Sequence, residues 1–201
     1  MNHLSPLEFT PTTILAKYDP ESKIKQYLTL LKAENQKINL VSRETSDTDL
    51  ERLAAESILP FEIIGNRSFS NYLDIGSGGG FPAFPIIMSA KVERATLIER
   101  TTKKALALGR MAGDLGLKIK VIDSNFEECH ISEKFDLITL RLVKLTKPLI
   151  KRISLLLKPA GTFIYYSDFK VIAEIGLKSD SYSYTSASDS PVKYFTVFTK
   201  Q

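Results

Sequence analysis

The run Leu73-Asp74-Ile75-Gly76-Ser77-Gly78-Gly79-Gly80-Phe81-Pro82 has the composition of a loop that touches a ligand with its backbone. Glycines where a strand meets a helix let the chain turn tightly and approach a bound molecule with no Cβ in the way. Their spacing restricts the ligand. A dinucleotide-binding turn carries glycine at its first, third and sixth positions, and the sixth position here is Phe81, which disfavours a nicotinamide enzyme. The glycines fall instead at Gly76, Gly78 and Gly80, behind an acid at Asp74. Glu99 lies nineteen residues after Gly80 and closes the next apolar run, where its two carboxylate oxygens can accept from both hydroxyls of a ribose. The competing reading of Glu99 is a solvated acid paired with Arg100. Further on, Asn125-Phe126-Glu127-Glu128 offers an apolar wall and polar groups to an adenine, or equally a solvated acidic loop.

These residues require a scaffold, and the rest of the chain supplies its pattern. Residues 1 to about 20 carry no clear periodicity and read as an irregular lead-in. Ile24, Tyr27, Leu28, Leu30 and Leu31 predict a helix from Lys23 with Ser22 as its cap. Asp47 or Asp49 opens a second helix through Leu50, Leu53, Ala54 and Ile58, which Pro60 ends or kinks. Gly65–Ser68 separates this helical cap, residues 1–66, from a second region, 67–201. There, strands are expected at Tyr72–Ile75, Ala95–Glu99, Ile119–Ile122, Phe135–Leu140 and Thr162–Tyr166. Helices are expected from near Phe81, over Thr101–Leu115 and over Lys144–Leu157. Pro159-Ala160-Gly161 reads as a turn, and the Ser- and Tyr-rich tail as two strands paired around Asp189-Ser190-Pro191. The alternation predicts an α/β, Rossmann-like fold: a mostly parallel, seven-stranded, doubly wound sheet with an antiparallel edge strand.

Composition narrows the class. The chain has 201 residues, 43% hydrophobic and 25% charged, the proportions of a globular domain rather than a disordered chain or disulfide scaffold. Cys129 is the single cysteine and favours a reducing compartment, and two histidines with one cysteine argue against structural zinc. No signal peptide or transmembrane run is expected, which points to the cytoplasm. Net charge is only +4, yet the stretch from Arg141 to Lys178 carries eight bases against two acids. Lys144, Lys147 and Lys151 share one face of the expected helix and suit phosphates, although a solvated face fits the same spacing. Arg141, just past the fourth strand, is placed for cofactor and substrate, or for an ion pair with Asp136 or Glu127. Tyr165, Tyr166 and Phe169 are candidates for base stacking or for core packing.

The acid followed by G-x-G-x-G resembles the loop of methyltransferases that use S-adenosylmethionine. From about Tyr27 to Lys170 the chain resembles the bacterial small-subunit ribosomal RNA guanine-N7 methyltransferases, the glucose-inhibited division protein B family. The resemblance is carried by Asn39-Leu40, Arg52, Glu56-Ser57, the glycine loop with Pro82 and Pro85, and Leu97-Ile98-Glu99. It continues through Lys103-Lys104, Phe126-Glu127-Glu128 and Phe135-Asp136 leading to Arg141. The resemblance implies the class I methyltransferase fold and S-adenosylmethionine held by Asp74, Gly76, Gly78, Gly80, Phe81, Glu99, Phe126, Glu127 and Arg141. It implies a monomer that methylates N7 of a guanosine in the 530-loop region of 16S ribosomal RNA, naked or in the small subunit, with no metal. Lys103, Lys104, Lys144, Lys147 and Lys151 are the candidate RNA contacts. Leu53 and Glu56 stand where the family usually has His and Asp, and Leu140-Arg141-Leu142 where it has Ser-Arg-Ala; Asn125 and Ala83 also depart from the usual Arg and Gly. These departures leave open another substrate for the same fold, or a binding module without turnover.

Overall fold

The computed structural model describes residues 5–65, 67–171, 176–186 and 191–200. The chain runs β1 (Leu7–Glu8), α1 (Pro11–Tyr18), α2 (Lys23–Asn35), α3 (Asp47–Ile58), α4 (Phe61–Ile64), β2 (Ser68–Phe69), β3 (Tyr72–Ile75), α5 (Ala83–Ser89) and β4 (Lys91–Val92). It continues β5 (Ala95–Glu99), α6 (Thr102–Asp114), β6 (Ile119–Asp123), β7 (Phe135–Arg141), α7 (Lys147–Leu156), β8 (Leu157–Ser167), β9 (Leu177–Thr185) and β10 (Lys193–Lys200). Eight strands form one sheet in the order β1-β9-β10-β8-β7-β3-β5-β6, and β2 pairs with β4 apart from it. The central strands pair in parallel, whereas β10 runs antiparallel to both β8 and β9. The expected mostly parallel α/β sheet with antiparallel pairing toward one edge is therefore present. It has eight strands rather than seven, because β1 adds to β9, and the antiparallel strand, β10, lies between β8 and β9 rather than at the edge itself. Both faces of the sheet are covered, which accounts for the unbroken apolar runs in β3 and β5. Helices α1–α6 pack on one face through Ile24, Tyr27, Leu31, Leu50, Phe84 and Leu108. Among the described residues α7 alone covers the other, through Leu149, Ile153 and Leu156.

From β3 the chain adds β5 and β6 on one side and then crosses to β7 on the other. The carboxyl ends of β3 and β7 thus flank the switch point of the sheet, where ligands bind in doubly wound folds. The glycine loop leaves β3 there, and Arg141 ends β7 there.

Several local expectations change. The lead-in is not irregular: Leu7 and Glu8 pair with Tyr184 and Thr185, and Pro11 opens a helix that buries Ile14 and Tyr18. Thr and Pro give that segment little intrinsic helicity, and tertiary burial supplies the rest. Ser22 is not the cap of α2, because its backbone is left-handed at φ 55° and its side chain caps nothing. Asp19 does that work, its two carboxylate oxygens accepting from the Lys23 and Ile24 amides at 2.8 Å each. Helix α3 is capped by Ser46, whose hydroxyl and Asp49 exchange hydrogen bonds with each other's backbone N–H in a capping box. The helix expected near Phe81 begins at Ala83, after a turn through residues 78–82.

Helix α7 begins at Lys147 rather than Lys144, since Thr146 caps it by accepting from the Leu149 amide and Pro148 sits in its first turn. Lys144 therefore lies outside the helix, and of the expected lysine stripe Lys147 and Lys151 remain on one face. Pro159-Ala160-Gly161 is a bulge inside β8, not a turn before it: pairing to β7 jumps from Phe135↔Leu157 to Leu137↔Thr162, with Ala160 at φ 58°. Asp189 and Ser190 of the expected hairpin turn, and Asn66 of the expected boundary, lie outside the described residues, although β9 and β10 pair as expected. Among the described residues no helix is long and apolar enough to cross a membrane.

Candidate active site

A cavity of about 620 Å³ opens over the carboxyl ends of β3, β5 and β7, within the size range of small-molecule sites. Its floor is the glycine loop: Gly76, Ser77, Gly78, Gly79 and Phe81 line it. The loop is held from two sides. The Gly76 and Ser77 amides donate to the Ile98 carbonyl at 2.8 and 3.1 Å, and the buried Tyr27 hydroxyl donates to the Gly79 carbonyl at 2.8 Å. Tyr27 also stacks on Phe84 at 4.8 Å between centroids and meets Phe81 edge-on at 5.4 Å. Helix α2 thereby sets the loop's height above the sheet, a role no local spacing announces. Gly80 is required where it stands. Its φ is +101°, and a Cβ there would lie 2.4 Å from the Phe84 ring.

Glu99 is neither solvated nor paired with Arg100. It is 6% exposed, and its two oxygens accept from the Gly78 amide at 2.9 Å and the Thr101 amide at 2.8 Å. Each oxygen has a second lone pair, and Glu99 is among the residues that line the cavity. Phe126 and Glu127, which follow β6, form a further wall. Arg152 of α7 fixes that wall, lying 4.7 Å above the Phe126 ring and donating to the Glu127 and Cys129 carbonyls. Arg100 and Lys104 stand at the rim on the side of α6, with Leu142 and Val143 on the side of β7.

Two expected cofactor residues do not reach the cavity surface. Gly80 turns away from it toward Phe84, and Asp74 is sealed beneath the loop. Asp74 Oδ1 accepts from the Thr139 hydroxyl, itself 2.7 Å from the Tyr72 hydroxyl, while Asp74 Oδ2 is buried with no hydrogen-bond partner among the described residues. Burial pushes its carboxyl up to about 6, against the lowering effect of the Thr139 and Ser77 hydroxyls. Between the ordinary value of 3.8 and about 6 the folded protein keeps a proton that the unfolded chain has lost. Stability held at lower pH is therefore lost as pH rises through that window, by roughly 3 kcal/mol at most. Asp74→Asn should remove this slope, so urea unfolding at a series of pH values should show the variant gaining on the parent protein from about pH 4 to pH 6. Parallel curves would show that Asp74 titrates normally.

Arg141 lines the cavity, but its partner is neither Asp136 nor Glu127. Asp136 pairs with Lys158 at 3.0 Å. Arg141 donates to Glu56 of α3 at 2.6 Å and to Ser57 Oγ at 3.3 Å, above the Tyr166 ring. Glu56, 2% exposed, also takes Arg52 at 2.9 Å and Lys193 of β10 at 3.0 Å. Burial alone would push the Glu56 carboxyl up, yet Arg141, Lys193 and Arg52 together hold it below its ordinary value. Tyr165 and Tyr166 are buried in the sheet, and of the three aromatic candidates only Phe169 is exposed. Lys103, Lys144, Lys147 and Lys151 are exposed, Lys104 is half-buried, and none of the five forms an ion pair among the described residues.

Known proteins share this fold. The fold matches an O-methyltransferase from Bacillus cereus solved with S-adenosylhomocysteine, at TM-score 0.64 and 16% identity over 94% of this chain and 96% of that one. It also matches the N-methyltransferase NodS of Bradyrhizobium japonicum, at TM-score 0.59 and 18% identity over 85% and 98%. In sequence, the ribosomal RNA small subunit methyltransferase G of Helicobacter pylori is 32% identical over 156 residues, 77% of this chain and 86% of that protein. The namesake from Borrelia recurrentis is 28% identical over 72% of this chain and 69% of its own length. The family model described as rRNA small subunit methyltransferase G matches residues 20–199, so the chain belongs to that family, GidB, and is a ribosomal RNA methyltransferase with the class I fold.

Proposed function

We propose that this protein transfers the methyl group of S-adenosylmethionine to N7 of a guanosine in the 530-loop region of 16S ribosomal RNA. The observation that carries the reading is the cavity at the switch point, floored by the glycine loop and rimmed by Arg100 and Lys104. The residues present fit the donor. A Cβ at Gly76 would lie 2.9 Å from Val143 Cγ2, so glycine there lets Val143 pack on the loop. Gly78, with nothing nearer than 3.9 Å to where its Cβ would be, leaves the backbone bare where a ligand must come close. Glu99 would hold the ribose, the Phe126-Glu127 wall the adenine, and Gly76, Gly78 and Phe81 the amino-acid portion. Asp74 and Gly80 act beneath these groups, shaping the loop. When bound, the donor supplies a sulfonium-activated methyl group. Guanine N7 has a free lone pair at neutral pH, so no side chain need remove a proton. What the chain contributes is placement in line with the methyl carbon and exclusion of water. Arg141, anchored by Glu56, stands between donor and acceptor. The cap, residues 1–66, carries this anchor and lends β1 to the edge of the sheet, and 67–201 is the donor-binding unit of a cytoplasmic monomer acting on the RNA or the assembled subunit.

The test is a map of N7-methylguanosine in 16S ribosomal RNA from cells with and without the gene. The modification should vanish from one site and return with the wild-type gene; an unchanged map would overturn the assignment. Gly78→Val provides the control for the donor. Gly78 has φ +53°, which a valine strains, and open space beyond it, so the substitution distorts the loop and fills the cavity rather than the core. Calorimetry should show donor affinity lowered by tenfold or more, about 1.4 kcal/mol. Unchanged affinity would remove the loop from the site.

The cations have a separate signature. Converting Lys147 and Lys151 to Glu should weaken binding to small subunits and lower the log–log salt slope by about 0.7–0.9 for each phosphate that is no longer neutralised, leaving donor affinity unchanged. An unaltered slope would make them an ordinary solvated face.

A further inference from the structure

Two large apolar side chains at the carboxyl edge of the sheet are exposed, and the first of them, Leu142, lines the cavity. Leu142 is 84% exposed and Phe169 60%. Single exposed apolar residues are common and need no explanation. These two differ in position and in backbone. They follow the carboxyl ends of neighbouring parallel strands, β7 and β8, whose last paired residues are Arg141 and Tyr166. Leu142 has φ 57°, a left-handed conformation that disfavours a residue with a Cβ. Its neighbour Val143, itself 37% exposed, reaches Gly76 with one methyl group, while Leu142 remains on the cavity rim facing solvent. On the adjacent strand the Ser167 hydroxyl donates to the Phe169 carbonyl at 2.7 Å and fixes the turn that presents the ring. Exposed cations flank both residues: Lys144 beyond Leu142, and Lys170 beside Phe169. An apolar pair on strained or pinned turns, with Lys144 and Lys170 close by and Asp168 the one acid beside Phe169, suits a nucleobase whose phosphates lie toward the lysines.

We propose that Leu142 and Phe169 hold the acceptor nucleobase out of its stack at the cavity mouth, Phe169 by stacking on it and Leu142 as an apolar wedge. The inference rests on the reading of RNA as substrate. A base in a folded RNA must be unstacked before its ring nitrogen can meet the methyl carbon. Charge alone brings phosphate to the rim but does not turn a base inward. The strained Leu142 turn sets its side chain beside the donor's entrance, and the Phe169 ring supplies the surface that replaces the departed neighbouring base. Both are positioning residues; neither touches the reacting bond.

The experiment uses three variants of the whole protein: Phe169→Ala, Phe169→Tyr and Leu142→Gly. Glycine accepts the left-handed backbone and removes only the side chain, and position 169 is solvent-exposed, so all three should fold. Methyl transfer is measured on small subunits from cells lacking the gene, and S-adenosylhomocysteine binding is measured by calorimetry. Phe169→Ala should lower kcat/KM by about 5- to 150-fold, the range for removal of one base–aromatic stack, and Leu142→Gly should change it in the same direction. Phe169→Tyr should restore most of the activity, and affinity for S-adenosylhomocysteine should not move. A Phe169→Ala/Leu142→Gly double variant with parental kcat/KM would overturn the inference while leaving the substrate intact. Phe169→Tyr as poor as Phe169→Ala would overturn the stacking role. A parent protein that methylates no ribosomal RNA removes both the inference and the reading beneath it.

Discussion

Glu56→Ala is expected to lower stability by about 3–5 kcal/mol, the cost of leaving a buried charge without its partner. Arg141 and Glu56 are 8% and 2% exposed and 2.6 Å apart, far from the screening that makes surface pairs weak. Without the carboxylate, Arg141 keeps only the Ser57 hydroxyl and the Leu53 carbonyl at 3.3 and 3.4 Å, and Arg52 and Lys193 lose a shared acceptor. In a domain of this size the loss corresponds to roughly 6–20 °C in Tm. Replacing both buried charges with apolar groups, as Glu56→Leu/Arg141→Met, should recover much of the stability, because the desolvation cost of both ions disappears with them. That double variant should still lose methyl transfer if Arg141 positions the acceptor. A Tm for Glu56→Ala within about 2 °C of the parent would mean that water reaches the cluster and solvates Arg141.

The second large effect is at Glu99. Its carboxylate joins the glycine loop to the start of α6, and each charge-assisted hydrogen bond is worth about 1.5–3 kcal/mol. Glu99→Ala should therefore destabilise the protein in the absence of donor by about 3 kcal/mol, since the Gly78 and Thr101 amides both lose their acceptor. Read from sequence alone, the same substitution would spare the ligand-free protein; the two backbone hydrogen bonds reverse that expectation. Donor affinity should fall as well, by roughly ten- to a hundredfold, because the ribose loses its acceptor and the loop its height. Urea unfolding without ligand and calorimetry with S-adenosylhomocysteine separate the two effects. Full donor affinity in a destabilised variant would leave Glu99 as a tie within the scaffold.

What was legible in the sequence was legible for local reasons. Leu73–Ile75, Ala95–Glu99 and Phe135–Leu140 are short apolar runs bounded by polar or glycine-rich turns, and covering both faces of a sheet demands such runs. The glycine loop announced itself because close backbone approach leaves a mark in residue type. The partner of Arg141 did not. Glu56 lies 85 positions away on a helix, and a pair made by packing leaves no spacing to read. Glu56 in place of Asp stood out only as a departure, although the structure makes it the acid that three cations share. The error at Lys144 has a different source: apolar and basic periodicity ran past the true boundary, and the Thr146 cap with Pro148 outweighed it. Helix α1 escaped notice because burial of Ile14 and Tyr18, rather than propensity, holds it.

The place of β10 bears on how the protein comes to be made. Of the eight strands in the sheet it is the last in the chain, yet it lies between β8 and β9 and carries Lys193 into the Glu56 cluster. A ribosome releases the chain from its amino end, so β8 emerges with a bare edge of backbone donors and acceptors, and Glu56 with one cation too few. An open edge of that kind invites pairing with other chains. That edge stays unpaired from the time Ser167 appears until Lys200 is free. Shortening the chain before residue 193 would leave that edge permanently open, whatever remains of the donor-binding loop.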